Sequence, residues 1–369
     1  MTAPQVEVQL IAAVTAAACA LLGVFLVLRR LAMLSDAISH AILPGIVVAF
    51  LLTGSLSSPW LILAAAATGV LTVVLVELLF RSGLVREDAA IGLVFPALFS
   101  IGVLLVSRHA GNVHLDVDVV LLGELAFAPF HRFTLAGRDL GPQGLWVMGV
   151  ILLLNLAFIT AFFKELKVST FDRALAASLG LSPVLLHYAL MSLVSITAVG
   201  AFDAVGSILV VALMVAPPAT AYLLTERLSA MVAASAGIGV AAALSGYWLA
   251  YFLDASIAGS MATTAGGLFL LAYLFAPERG LVAAAGRRVR QRREFAATML
   301  AIHLLQHEGT PEEARESAVD HLHEELRWSR EHAARVVRDA VRWRVVTREA
   351  QRLRLTEEGR RRARESLAM

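Results

Sequence analysis

The chain has 369 residues, of which 58% are hydrophobic and only 16% charged, and its mean hydropathy is +0.74. A water-soluble globular protein needs a far more charged surface, so the composition excludes one and points to a polytopic membrane protein with a polar tail. The formal net charge of +2 identifies no partner, because the charges crowd into the gaps between apolar blocks and into the last quarter of the chain.

The apolar blocks fall at residues 8–28, 33–52, 60–80, 89–106, 145–163, 185–199, 205–224, 231–252 and 261–275. Most approach the twenty or so residues that a helix needs to cross a bilayer core, which predicts eight to nine spans. Residues 199–205 read either as a tight turn between two spans or as a break in one long helix. Residues 119–130 are apolar but too short to span, and read as re-entrant or interfacial. The first block lacks the basic region and the cleavage site of a removable leader, and is expected to remain as a span. Its Cys19 is the one cysteine of the chain, which rules out an intrachain disulfide or a thiolate cluster and leaves a small buried apolar residue.

Lysine and arginine mark alternate loops: Arg29 and Arg30, then Arg81 and Arg86, then Lys164, Lys167 and Arg173, then Arg227, then Arg279 and the run from Arg287 to Arg293. Cytoplasmic loops carry this excess. Nine spans then put the N-terminus outside and the tail in the cytoplasm. The basic run after the last span is also placed to meet anionic lipid.

From about residue 290 the chain turns rich in Arg and Glu. Residues 295–305 and 319–326 read as two amphipathic helices. Ser329 is placed to cap a third, ending near Trp343. Two short extended runs follow, Val345 to Thr347 and Leu353 to Leu355, and Thr356 caps a last helix whose first turn holds Glu357 and Glu358, where the helix dipole favours acids. Helix, helix, helix, hairpin, helix is the order of a winged-helix domain. The expected fold is therefore an all-α polytopic membrane protein, residues 1–283, with a small cytoplasmic winged-helix α+β domain, residues 284–369.

Ionisable groups within apolar spans are costly and mark function. Asp36 and His40 are four apart, so a helix sets both on one face one turn apart. A carboxylate oxygen with an imidazole nitrogen suits manganese, zinc or iron better than calcium or copper(I); the other reading is that the two simply bond each other or a neighbouring helix. Glu77 and Asp203 are weaker metal candidates, Glu77 near an end of its span and Asp203 in a Gly-rich stretch near the outer end of two spans. His187 reads as interfacial. His109, His114, Asp116 and Asp118 lie in the long outer loop as attractors for cations or as ordinary solvated residues. In the tail, His303 and His307 are four apart, and His321, His323 and Glu324 form a second group; each set offers a regulatory metal site or is a solvated surface. No Gly-x-x-x-x-Gly-Lys-Ser/Thr loop occurs, so this chain does not bind ATP by that route, and no nucleophile–base constellation for catalysis stands out.

Residues 28–45, LRRLAMLSDAISHAILPG, resemble the signature of the permeases of metal ABC transporters of the manganese, zinc and iron class. Residues 86–92 (REDAAIG), 171–181 (FDRALAASLGL) and 205–221 (VGSILVVALMVAPPATA) resemble further stretches of that family, and the likeness runs from about residue 8 to 283. The resemblance implies a permease pair in the bacterial cytoplasmic (inner) membrane, a cytoplasmic ATP-binding subunit beneath it, and an extracytoplasmic metal-binding protein above. It implies that Asp36 and His40 are the intramembrane metal positions, and that Phe171, Asp172, Leu179 and Gly180 belong to the helical segment coupling to the ATPase. The winged-helix tail departs from the family pattern. The expected function is a non-enzymatic permease subunit of an ATP-driven divalent-metal importer, manganese before zinc or iron, with no bound cofactor. The alternatives are a membrane-tethered metal-sensing regulator and an ion-gradient-driven metal transporter. Nucleic acid is not an expected partner, because Glu is interspersed among the Arg of the tail.

Overall fold

A computed structural model of the chain describes residues 3–54, 59–109, 125–135, 138–319, 321–322 and 326–368. The chain divides into two compact units, Met1–Arg279 and Gly280–Met369.

The first unit is helical apart from one hairpin among the described residues. Its helices are α1 (Ala3–Leu28), α2 (Ala32–Ala41), α3 (Leu43–Thr53), α4 (Pro59–Arg81), α5 (Glu87–His109), α6 (Gln143–Ala161), α7 (Phe163–Phe171), α8 (Arg173–Ser178), α9 (Pro183–Val205), α10 (Ser207–Leu224), α11 (Leu228–Leu253) and α12 (Ile257–Phe275). Counting α2 and α3 as one, nine stretches among the described residues are long and apolar enough to cross a membrane, in line with the eight to nine expected. The hairpin, β1 (Arg132–Leu135) with β2 (Arg138–Pro142), precedes α6. It is pinned by Arg132, which donates to Asp139 at 2.7 Å and to both oxygens of Glu7 in α1 at 3.0 and 3.1 Å.

Helix α1 is the centre of the unit and packs against α6, α9, α10 and α11. Ile11, Ala16, Cys19, Leu22 and Phe25 are fully buried, Cys19 among them as a free thiol. Lipid is as apolar as leucine, so spans associate through close backbone approach and packing rather than through apolar content. Gly246 of α11 shows this: a Cβ there would strike the Cα, Cγ and backbone nitrogen of Met261 in α12.

The breaks between helices decide where side chains are aimed. Helix α1 ends where Arg30 takes a left-handed conformation, φ 63°. The Leu31 amide then donates to Leu26 O at 2.8 Å and the Arg30 amide to Val27 O at 3.1 Å, a Schellman closure in which arginine stands where glycine is usual. That backbone costs a non-glycine residue about 1–2 kcal/mol, and it swings the chain into α2. Pro44, which has no amide to donate, sits in the first turn of α3 and separates it from α2. Residues 199–205 form neither of the arrangements expected of them. Helix α9 runs unbroken to Val205, and the single residue Gly206, at φ 81° and ψ 161°, makes the whole joint to α10.

The second unit contains α13 (Leu281–His307), α14 (Glu313–Glu316), α15 (Arg330–Arg342), the hairpin β3 (Val346–Glu349) with β4 (Arg352–Leu355), and α16 (Glu357–Leu367). Leu300, Leu304, Leu322, Val336, Val337, Val346 and Leu353 form its core. Ser329 Oγ accepts from the His332 amide at 3.2 Å and Thr356 Oγ1 from the Gly359 amide at 3.0 Å, which caps α15 and α16 at the expected places. One expectation is corrected. The first helix begins at Leu281 rather than 295, because Ala and Arg are strong helix formers and carry it through the basic run. Ahead of the second expected helix, Ala318 bridges to Arg352 and the Leu353 amide donates to Ser317 O at 2.8 Å, which extends the sheet; within that helix's expected stretch Leu322 is helical and accepts from the Leu326 amide at 3.2 Å. Residues 320 and 323–325 lie outside the described residues.

Candidate functional site

The sequence from Ala32 to Ala41 makes a short helix with two unlike faces. Leu34, Ala37, Ile38 and Ala41 are buried, and α2 packs against α4, α5, α9 and α10. Ser35 and Ser39, also buried, satisfy their hydroxyls locally by donating to Ala32 O at 2.8 Å and Ser35 O at 3.0 Å. Asp36 and His40 lie on the remaining face, half-buried, with Asp36 Oδ1 and His40 Nε2 3.4 Å apart. The His40 ring meets Phe95 and Phe99 of α5, at centroid distances of 6.1 and 6.4 Å. A metal bonded to an oxygen and a nitrogen at about 2.0–2.2 Å in tetrahedral geometry holds those atoms about 3.4 Å apart, so the pair has the separation of two ligands on one cation. Its side chains retain about a third of their exposure, 32% for His40 and 39% for Asp36, which leaves room for water or other ligands.

The weaker candidates do not join this pair. Glu77 of α4 is tied to Arg81 one turn on. Asp203 lies in the last turn of α9, and its side chain is outside the description, as are the His109 side chain, His114, Asp116 and Asp118. His187 is part of a polar knot that sequence reasoning missed. Arg29, just past α1, donates through Nε to Thr170 Oγ1 at 3.2 Å, through Nη2 to Ser169 Oγ at 3.1 Å, and through Nη1 to His187 Nδ1 at 3.3 Å. A guanidinium has only donors, so His187 Nδ1 accepts. Burial, then the nearby charge of Arg173, push the Arg29 guanidinium down to about 10, still protonated at neutral pH. One cation thereby joins the end of α1 to α7 and α9. Nothing in the local pattern marks Arg29 apart from Arg30 beside it.

The segment after α7 is shaped by Asp172. Its extended backbone, φ −147°, breaks the helix, and Oδ1 accepts from the Leu175 amide at 2.9 Å to cap α8. Gly180, at φ 79°, closes α8 with a Schellman bond from the Leu181 amide to Ala176 O at 3.1 Å. The result presents Phe171, Leu175 and Leu179, 66%, 48% and 61% exposed, around a capped turn. Apolar side chains so exposed are free to meet a partner or lipid.

In the second unit, His303 and His307 lie one turn apart on α13, their rings tilted to each other with centroids 4.9 Å apart. His321 stands by Glu316, a residue sequence reasoning did not single out. His323 and Glu324 lie outside the described residues.

Residues 5–276 match the ABC 3 transport family. The chain is 49% identical over 353 residues to the zinc transport system membrane protein TroD of Treponema pallidum, with 96% of each chain covered. It is 47% identical over 278 residues to the manganese transport system membrane protein MntD of Bacillus subtilis, covering 75% of this chain and 94% of that one. The structure of PsaBC from Streptococcus pneumoniae in complex with Fab is similar with a TM-score of 0.63 at 26% identity, covering 76% of this chain and 94% of that one. An alignment of 353 residues takes in most of the second unit, whereas one of 278 is about one such unit short. With nine apolar spans, a match across them and relatives at nearly half identity, this chain belongs to the ABC 3 transport family.

Proposed function

We propose that the chain is the membrane-spanning permease subunit of an ATP-driven importer of divalent metal ions, and that Asp36 and His40 hold the ion in transit. The observation that carries this is the carboxylate–imidazole pair at ligand spacing on a half-buried face of a membrane helix. A charged group is retained in such a place at a cost that only function offsets. The hard oxygen donor and the absence of thiolate favour manganese, with zinc and iron next; the named relatives carry zinc or manganese in their names.

In this reading a metal-binding protein outside delivers the ion, and Asp36 and His40, from one or both chains of a permease pair, replace part of its water shell. Binding is moderate, so that the ion can leave. A separate ATP-binding subunit on the cytoplasmic side docks against Phe171, Asp172, Leu179 and Gly180, and the Arg29 knot carries its movement to α1 and α9. The second unit is read as a cytoplasmic winged helix with a regulatory or dimerising role. Acids are interspersed among its arginines, and Arg360 pairs with Glu308 and Arg361 and Arg362 with Glu358, which dilutes the charge offered to a nucleic-acid backbone. Deletion of residues 290–369 with transport and its metal feedback unchanged would sink the regulatory role.

The test is accumulation of manganese, zinc and iron in cells that express the chain with its cognate ATPase and binding protein, against Asp36→Ala and His40→Ala. Accumulation of one metal, abolished by both substitutions while the complex assembles, supports the assignment and names the cargo. Uptake persisting in both variants makes the pair structural and moves the path to Glu77 and Asp203.

A further inference from the structure

The second unit brings together two imidazoles and a carboxylate that the transport reading does not use. His303 and His307 lie one turn apart on α13, and Glu316 ends α14. One ligand atom from each lies within 4.8 Å of the other two. Glu316 is only 6% exposed. Its Oε2 is 3.5 Å from His303 Nε2 and has no hydrogen-bond partner among the described residues. Its Oε1 is 3.4 Å from His321 Nε2. A carboxylate oxygen buried without a donor is costly, and a cation at that point removes the cost.

We propose that His303, His307 and Glu316 form a binding site for a divalent cation of the zinc class. Two imidazoles and a carboxylate, with a fourth position open to water, are a donor set zinc takes. The 3.5 Å between His303 and Glu316 is already close to the roughly 3.4 Å edge of a tetrahedral zinc site, and the widest spacing in the group leaves about 1.4 Å to close. His307 can supply that movement: it borders a cavity of about 250 Å³ that Glu308, Glu313, Ser317 and Arg360 also line, and this cavity gives solvent-borne metal its access. In the metal-free molecule His303 Nε2–H donates to the Glu316 carbonyl at 3.3 Å, and binding through that nitrogen releases its proton. His321 Nε2 accepts from Arg315 Nε at 3.1 Å, which engages that nitrogen and sets His321 as a neighbour of Glu316 rather than a ligand. Imidazole-rich sites rank zinc above manganese, so the site discriminates between two ions that relatives of this chain carry in their names.

The binding claim stands apart from the transport reading. The experiment uses the full chain purified in detergent and carrying Asp36→Ala and His40→Ala, so that the membrane pair contributes nothing. It is titrated with Zn²⁺ and with Mn²⁺ against a competing chelator, and its Co²⁺ absorption is recorded. The expected result is about one Zn²⁺ per chain, Mn²⁺ at least tenfold weaker, and Co²⁺ bands of tetrahedral intensity. His303→Ala and Glu316→Gln each weaken zinc by about 100-fold or more. Glu316→Gln preserves shape; if circular dichroism nevertheless shows it misfolded, His307→Gln, at the cavity rim, is read by the same criterion. Absence of stoichiometric zinc, or zinc affinity unchanged in the folded Glu316 or His307 variant, overturns the site. Zinc bound here with uptake indifferent to Asp36 and His40 would overturn the assignment of the ion path to that pair and leave this site standing.

Discussion

Gly69→Ala tests whether the helix that carries Asp36 and His40 is held from behind as tightly as the packing indicates. Gly69 is on α4, between α9 and the buried face of α2. A Cβ there meets the hydroxyl of Ser195, Ser195 Cβ at 3.0 Å and Ile38 Cγ2 at 3.1 Å. Carbon atoms in good contact sit about 3.5–4.0 Å apart, so both neighbours must yield by about half an ångström or more. Ser195 is fully buried and its hydroxyl donates to Ala66 O at 3.0 Å; the methyl displaces it from that bond. Overpacking costs about 1–3 kcal/mol and the lost hydrogen bond about 1 kcal/mol. Replacing a helical glycine returns up to about 1 kcal/mol. The net expectation is a destabilisation of about 1–3 kcal/mol, read as a lower thermal midpoint of the detergent-purified chain. Metal uptake falls as well, because Ile38 is two residues from both Asp36 and His40. Gly92→Ala on α5 is the control: nothing lies within 4 Å of its Cβ, so stability holds or rises slightly. Adding Ser195→Ala to Gly69→Ala removes the nearest obstruction and recovers part of the loss. Equal midpoints for Gly69→Ala and Gly92→Ala would refute the reasoning.

Asp172→Ala removes the side-chain cap of α8 and loosens that helix by about 0.5–2 kcal/mol; uptake is expected to fall while zinc binding by the second unit is unchanged. Leu179→Glu puts a charge on the exposed apolar edge of the same turn, and co-purification of the ATP-binding subunit reports its loss. Arg29→Lys keeps the charge but cannot reproduce a fork reaching Ser169, Thr170 and His187 together, so uptake drops without loss of assembly. The Arg360 guanidinium holds the Glu308 carboxyl below the usual carboxylate range. A depressed carboxyl contributes stability above its unfolded value, near 4.3, and loses it as pH falls through the folded value. Glu308→Gln therefore lowers the thermal midpoint at pH 7, and the gap to the parent closes as pH falls below about 4. A gap independent of pH would mean that packing, not the ion pair, sets the difference.

The number and order of the spans were legible in the sequence, because crossing a bilayer imposes a length and an apolar content that neighbours cannot change. The Asp36–His40 pair was legible too, since four residues on a helix place two side chains on one face whatever surrounds them. Caps at Ser329 and Thr356 are local chemistry and appeared where that chemistry put them. The joint between α9 and α10 was misplaced by several residues, because an apolar run gives no hint of which single glycine will take a positive φ. The Arg29 knot and the Glu316 cluster were not legible at all. The residues involved are far apart in sequence, Arg29 from Ser169 and His187, or sit on different elements, as His303 and Glu316 do. Whether such groups meet, and whether a carboxylate ends up buried with an unpartnered oxygen, depends on how helices pack rather than on any spacing along the chain. Sequence by itself determined the spans, the tail-helix caps and the one-turn Asp36–His40 pair; only the tertiary structure decided which distant polar groups share a buried space, since burial and partnering are properties of the packed whole.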